Sequence, residues 1–150
     1  MAKSISGLCV AALCGLGLAI AGTPASAQLD SIVGSWVVIP SAPNRPPGLP
    51  NVFTFTSDGT IIRFSPADSG ATGAWIDSGN RTVTYTFVPL NRGALGDFIG
   101  TFKVRGKVTL NPAFDEFTGG GKVDFFDPQG KLTQSGEFTT HATRIKVESP

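Results

Sequence analysis

Residues 52–64 read Val52-Phe53-Thr54-Phe55-Thr56-Ser57-Asp58-Gly59-Thr60-Ile61-Ile62-Arg63-Phe64, and their alternation decides the architecture. Phe53 and Phe55 fall on one face and Thr54 and Thr56 on the other, the period of two of a half-buried strand. Ser57-Asp58-Gly59-Thr60 then reads as a hairpin turn, because Asp-Gly supplies the positive φ that tight hairpins need. The returning strand is expected to bury Ile62 and Phe64 and to leave Arg63 outside.

The same pattern extends in both directions. Upstream, Gly34–Ile39 is a first strand, followed by a loop, Ser41–Pro50, whose four prolines exclude regular structure. Downstream, Gly73–Ile76 is a short strand carrying Trp75, and Asp77-Ser78-Gly79-Asn80 is a turn. Arg81–Phe87 alternates with Val83, Tyr85 and Phe87 inward. Asp97–Leu110 places Phe98, Gly100, Phe102, Val104, Gly106, Val108 and Leu110 on one face, with Lys103, Arg105 and Lys107 on the other. Asn111-Pro112 breaks the run. Phe114–Phe126 follows, and Asp127-Pro128-Gln129-Gly130 turns the chain into a last strand from Lys131 to about Glu148. Phe138 and Ile145 on that strand have opposite parity, which predicts a bulge between them. No segment has helical periodicity. Eight strands joined mostly by short turns predict an all-β, eight-stranded antiparallel up-and-down barrel, a closure that removes exposed edges. A two-sheet sandwich, the competing layout, needs Greek-key crossovers that these short sequential turns do not supply.

Residues 1–27 read as an export signal: Lys3, an uncharged and mostly apolar run from Ile5 to Ile20, then Ala25-Ser26-Ala27 before the cut. The apolar run is short and Gly-rich for a membrane span, so no stable membrane insertion is expected. The expected product is 28–150, one barrel domain, secreted or periplasmic. Both cysteines, Cys9 and Cys14, fall inside the signal, so no disulfide is expected. With Lys3 removed, eleven basic residues face eleven acidic ones. That balance gives no reason to expect nucleic acid as a partner.

Gly34-Ser35-Trp36 near the start of the domain and Thr143-Arg144-Ile145 near its end resemble the lipocalin and wider calycin pattern. That resemblance implies that Gly34 and Trp36 fill the G-x-W positions. It further implies that Trp36 packs across the closed end of the barrel with Arg144 laid against it. Phe55-Thr56-Ser57-Asp58-Gly59 and Gly73-Ala74-Trp75 are similar to stretches of lipocalin-like secreted bacterial proteins.

Chemistry-bearing groups are sparse. His141 is the only histidine. It lies on a Thr-rich strand with no nucleophile elbow elsewhere, and reads as a surface residue. One histidine and no retained cysteine exclude the usual zinc set. Asp58, Asp77 and Asp127 are explained by their turns, and no Gly-rich phosphate loop precedes a helix. No catalytic residue, metal or cofactor is therefore assigned. The aromatics are the remaining signal, since a barrel of eight strands either fills with side chains or holds one small ligand. Inward parity nominates Phe53, Phe55, Phe64, Tyr85, Phe87 and Phe102 as ligand-binding, with Trp75 at the rim beside the Asp68–Gly73 loop. Arg81, which shares parity with Tyr85, is the candidate for an acidic head group. The leading functional expectation is a secreted, lipocalin-like protein binding a small apolar or amphipathic molecule. The alternatives are an enzyme resembling allene-oxide-cyclase-like barrels, shaping a reactive substrate in an apolar cavity, and a surface structural or interaction protein.

Overall fold

The computed structural model describes residues 31–68 and 70–148. The expected export signal lies outside them. Eight strands follow in order: β1 (Gly34–Ser41), β2 (Asn51–Phe55), β3 (Thr60–Phe64), β4 (Ala71–Asp77), β5 (Thr82–Arg92), β6 (Phe98–Leu110), β7 (Glu116–Phe126) and β8 (Leu132–Arg144). Each pairs antiparallel with its neighbour in sequence, and β1 pairs with β8, so the sheet closes on itself. The protein is an up-and-down barrel, consistent with a calycin-like fold. At one end lie the start of β1 and the hairpins after β2, β4 and β6. At the other lie the Pro-rich segment after β1 and the connections after β3, β5 and β7.

The β2–β3 turn is one residue longer than an Asp-Gly reading assumes. The Thr56 amide donates to the Thr60 carbonyl (2.9 Å) and the Gly59 amide to the Thr56 carbonyl (3.2 Å). Gly59 takes φ +85°. This is a three-residue loop with glycine in the left-handed position. Phe55 therefore pairs with Ile61, not Ile62, and Phe53 with Arg63. Because side chains alternate with a period of two, that single residue turns the whole of β3 over. Ile61 and Arg63 face inward and Phe64 is 62% exposed, the reverse of the expected orientation. The same hydrogen-bond pattern closes 93–97, with Gly96 at φ +82°, and 127–131, with Gly130 at φ +81°.

The bulge expected between Phe138 and Ile145 does not occur. The β7–β8 register runs unbroken from Gln134 to Thr143 and shifts instead near the turn, at Phe125/Phe126. Ile145 lies past the end of β8 and is exposed, so its parity places no constraint on the strand.

Inside the barrel the rings form a connected series. Trp36 meets Phe117 at 4.9 Å between centroids, Phe117 meets Phe55 at 6.3 Å, and Phe55 meets Tyr85 at 6.2 Å. Tyr85 stacks on Phe87 at 5.8 Å, and Phe53 stands edge-on to Phe87 at 5.4 Å. Such tilted and edge-on pairs are the favoured geometry of aromatic quadrupoles. Tyr85 lies directly across from Gly106, and its ring occupies the space that a β-carbon there would need.

Candidate functional site

The end of the barrel at Gly34 is sealed. Trp36 is completely buried, and its indole N–H donates to the Ile32 carbonyl at 2.8 Å. Arg144, opposite Trp36 on β8, holds its guanidinium carbon 4.2 Å from the indole centroid. Its Nε donates to the Phe114 carbonyl (2.7 Å), its Nη1 to the Val33 carbonyl (2.8 Å) and its Nη2 to the Ser31 carbonyl. Burial draws the Arg144 pKa below the usual arginine value, and the nearby Asp115 carboxylate opposes the shift. Gly34 adopts φ +129°, and a β-carbon there would stand 2.8 Å from Arg144 Nη1, which is why a glycine precedes the cap. Gly34, Trp36 and Arg144 thus meet as the resemblance implies.

The opposite half of the barrel is not filled. A cavity of about 180 Å³ lies there, walled by Val38, Phe53, Tyr85, Phe87, Phe102, Val104, Val123 and Phe138. Pro40, Asn51, Arg63 and Thr140 complete its lining toward the strand ends. Phe102, Val123 and Phe138 face inward yet stay only half-buried, because they border open space rather than packed neighbours.

Of the residues nominated from sequence, the structure brings Phe53, Tyr85, Phe87 and Phe102 together around this cavity. Phe55 is buried one layer nearer the cap, between Tyr85 and Phe117. Trp75 is not at the cavity rim. It points toward the capped end, where its indole N–H donates to the Thr56 carbonyl at 3.0 Å. Arg81 is exposed, takes φ +59°, and precedes β5. Four residues of strand, about 13 Å, separate it from Tyr85 toward the capped end. Trp75 and Arg81 border a separate depression there with Ile32, Val83, Leu110 and Phe114. Phe64 lies on the outer surface beside Ile62, Val88 and Leu90.

The cavity's cation is therefore Arg63 rather than Arg81. Its guanidinium carbon lies 5.5 Å from the Phe87 centroid and 6.0 Å from that of Phe102. Its Nη1 donates to both carboxylate oxygens of Asp68, at 2.7 and 2.9 Å. Both side chains are about nine-tenths buried. Asp68 is itself fixed, because the Gly70 amide donates to it at 2.9 Å. Asn51 is the other polar residue of note. Its amide nitrogen donates to the Leu49 carbonyl at 2.9 Å, while its Oδ1 is buried without a partner. Burial pushes the Tyr85 hydroxyl well above its usual value near 10, against a smaller opposing effect of Arg63. The phenol stays protonated at neutral pH.

Asn51 shares parity with Phe53 and Phe55, so alternation alone reaches it. Arg63 was legible only with the correct turn length. His141 is exposed on the outer face of β8. No group of three or more His, Cys, Asp and Glu side chains comes together among the described residues. No protein-family model, curated protein or solved structure matches the chain. The barrel and its cavity are thus the basis for a functional reading.

Proposed function

We propose that this chain is an exported, lipocalin-like barrel that binds one small apolar or amphipathic molecule in the cavity opposite the Trp36 cap. The observation that carries the reading is the contrast in packing within one barrel. In the capped half Trp36, Phe117 and Phe55 pack ring against ring, and the remaining depression of about 150 Å³ lies at the strand ends beside the exposed Asp77 and Arg81. The other half leaves about 180 Å³ inside, among aromatic and aliphatic walls. Protein interiors are ordinarily packed like organic crystals, so a void of this size walled by four of the eleven Phe stands out. An engineered apolar cavity of about 150 Å³ stays dry and takes up benzene. The Gly34–Trp36–Arg144 cap and the strand order support the lipocalin-like part of the reading. The Lys3, Ile5–Ile20 and Ala25–Ala27 pattern supports export.

The test has two arms. Solvent extraction of the purified protein followed by mass spectrometry should recover a small apolar molecule. An apolar fluorescent probe should bind the protein, lose binding when Phe87→Trp fills the cavity, and bind normally in Lys103→Ala, which changes only the outer face of β6. Absence of binding, or equal loss in the two variants, overturns the proposal.

A further inference from the structure

We infer that the cavity selects a neutral, single-ring molecule bearing a hydroxyl, a phenol-like ligand, over fatty acids and other anions. The inference rests on the binding reading above. It is carried by three features at the mouth and walls. The first is size and shape. A cavity of about 180 Å³ suits one substituted ring, given that an engineered apolar cavity of about 150 Å³ takes up benzene. A long acyl chain exceeds it. Phe53 stands at 82° to Phe87 while Tyr85 lies parallel to Phe87, so flat surfaces and edges both line the space. A flat aromatic guest fits the preferences of such rings.

The second feature is charge. Arg63 is the cation of the cavity lining, and Asp68 already neutralises it from within about 3 Å while both are buried. A carboxylate entering the cavity would lose its hydration and meet the charge of Asp68 as well as that of Arg63. Its desolvation would go uncompensated. A neutral guest meets no such penalty.

The third feature is hydrogen bonding. Asn51 lines the cavity, and its carbonyl oxygen is buried with no donor, so a guest meets it once the side chain turns toward the space. Buried acceptors are normally satisfied, so this one calls for a donor from outside the protein. The Arg63–Asp68 pair engages Nη1 alone, so the other N–H groups of the guanidinium stay outside it. A hydroxyl both donates and accepts, and so answers both sides of the site.

Titration calorimetry on the purified protein at neutral pH, with 4-methylphenol, toluene, benzoate and decanoate as probes, tests this directly. The 4-methylphenol should bind at least about tenfold more tightly than benzoate or decanoate, and more tightly than toluene. Asp68→Asn leaves Arg63 uncompensated, and benzoate should then gain about tenfold or more while 4-methylphenol does not. The double change Arg63→Met with Asp68→Asn should return benzoate to its weak binding, and serves also where the single variant does not fold. Tighter binding of benzoate or decanoate by the unaltered protein overturns the inference and leaves the binding proposal standing. So does a 4-methylphenol affinity no better than that of toluene, or no gain for benzoate in Asp68→Asn. Failure of every probe, with nothing recovered by extraction, overturns the binding proposal itself.

Discussion

Two arginines set the ends of this barrel apart. Arg144 lies on Trp36 and spends its donors on backbone carbonyls from Ser31, Val33 and Phe114, tying the start of the domain and the β6–β7 hairpin to the last strand. Arg63 lies near Phe87 and Phe102 but answers to a carboxylate from the loop that follows its own strand. The first arrangement knits distant segments together and fills the end. The second neutralises a charge locally and leaves space beside it. An arginine over rings is therefore a seal where its partners come from across the fold, and part of a wall where its partner comes from next door.

The sharpest way to break this contrast is to truncate both ends. Trp36→Ala should cost about 3–5 kcal/mol of unfolding free energy in denaturant titration, the usual loss for a large ring removed from a filled core. Phe102→Ala, beside existing space, should cost roughly half as much. Equal losses would mean that the two ends are packed alike.

Arg144→Ala should cost about 2–3 kcal/mol, from charge-assisted hydrogen bonds and the indole contact. Arg144→Lys should recover little of it, because a compact ammonium cannot span three carbonyls as a planar fork does. Full recovery in the lysine variant would reduce the cap to a matter of charge.

Tyr85 is the lone tyrosine, so its ionisation is readable by tyrosinate absorbance. Its folded pKa lies above the unfolded value near 10. The stability linked to it is fully present below pH 10. It is lost as pH rises beyond that, by about 1.4 kcal/mol per pH unit. Tyrosinate should therefore appear together with the loss of β-type circular dichroism, and Tyr85→Phe should remove this part of the alkaline decline. Ionisation near pH 10 in a folded barrel would place the phenol in water.

The smallest expected effect is Phe64→Ser, within about 0.5 kcal/mol, since the ring lies on the outer surface. A loss of several kcal/mol would put Phe64 back inside and reverse the assignment of β3.

Strand number and strand order were legible in the sequence because alternation is local and repeats around the barrel, whereas the meeting of Trp36 and Arg144 followed from the resemblance and not from any local pattern. The face of β3 was not legible. Asp58-Gly59 serves a two-residue and a three-residue loop equally well, and only the Thr56–Thr60 hydrogen bond distinguishes them. Arg81 shows the complementary failure: parity gives a face but not a height, and Arg81 lies before its strand begins. The cavity escaped for a third reason. Alternation states which side chains point inward, not whether they meet there. Trp75 faces the right way and still belongs to the capped end.

The length of the β2–β3 turn carries a consequence for how such a protein diversifies. Insertions and deletions in exposed turns are ordinarily tolerated, because little packing depends on them. Here the outcome turns on which residues a shortened loop keeps: with Thr56 still paired with Thr60, Arg63 stays inward, whereas a three-residue loop rebuilt from Thr60 would slip β3 by one residue and carry Ile62 and Phe64 into the interior. The frame of a three-residue surface loop thus sets whether the interior is lined by an ion pair or by hydrocarbon. A one-residue slip in pairing outside the cavity would rewrite its chemistry more thoroughly than most substitutions within it.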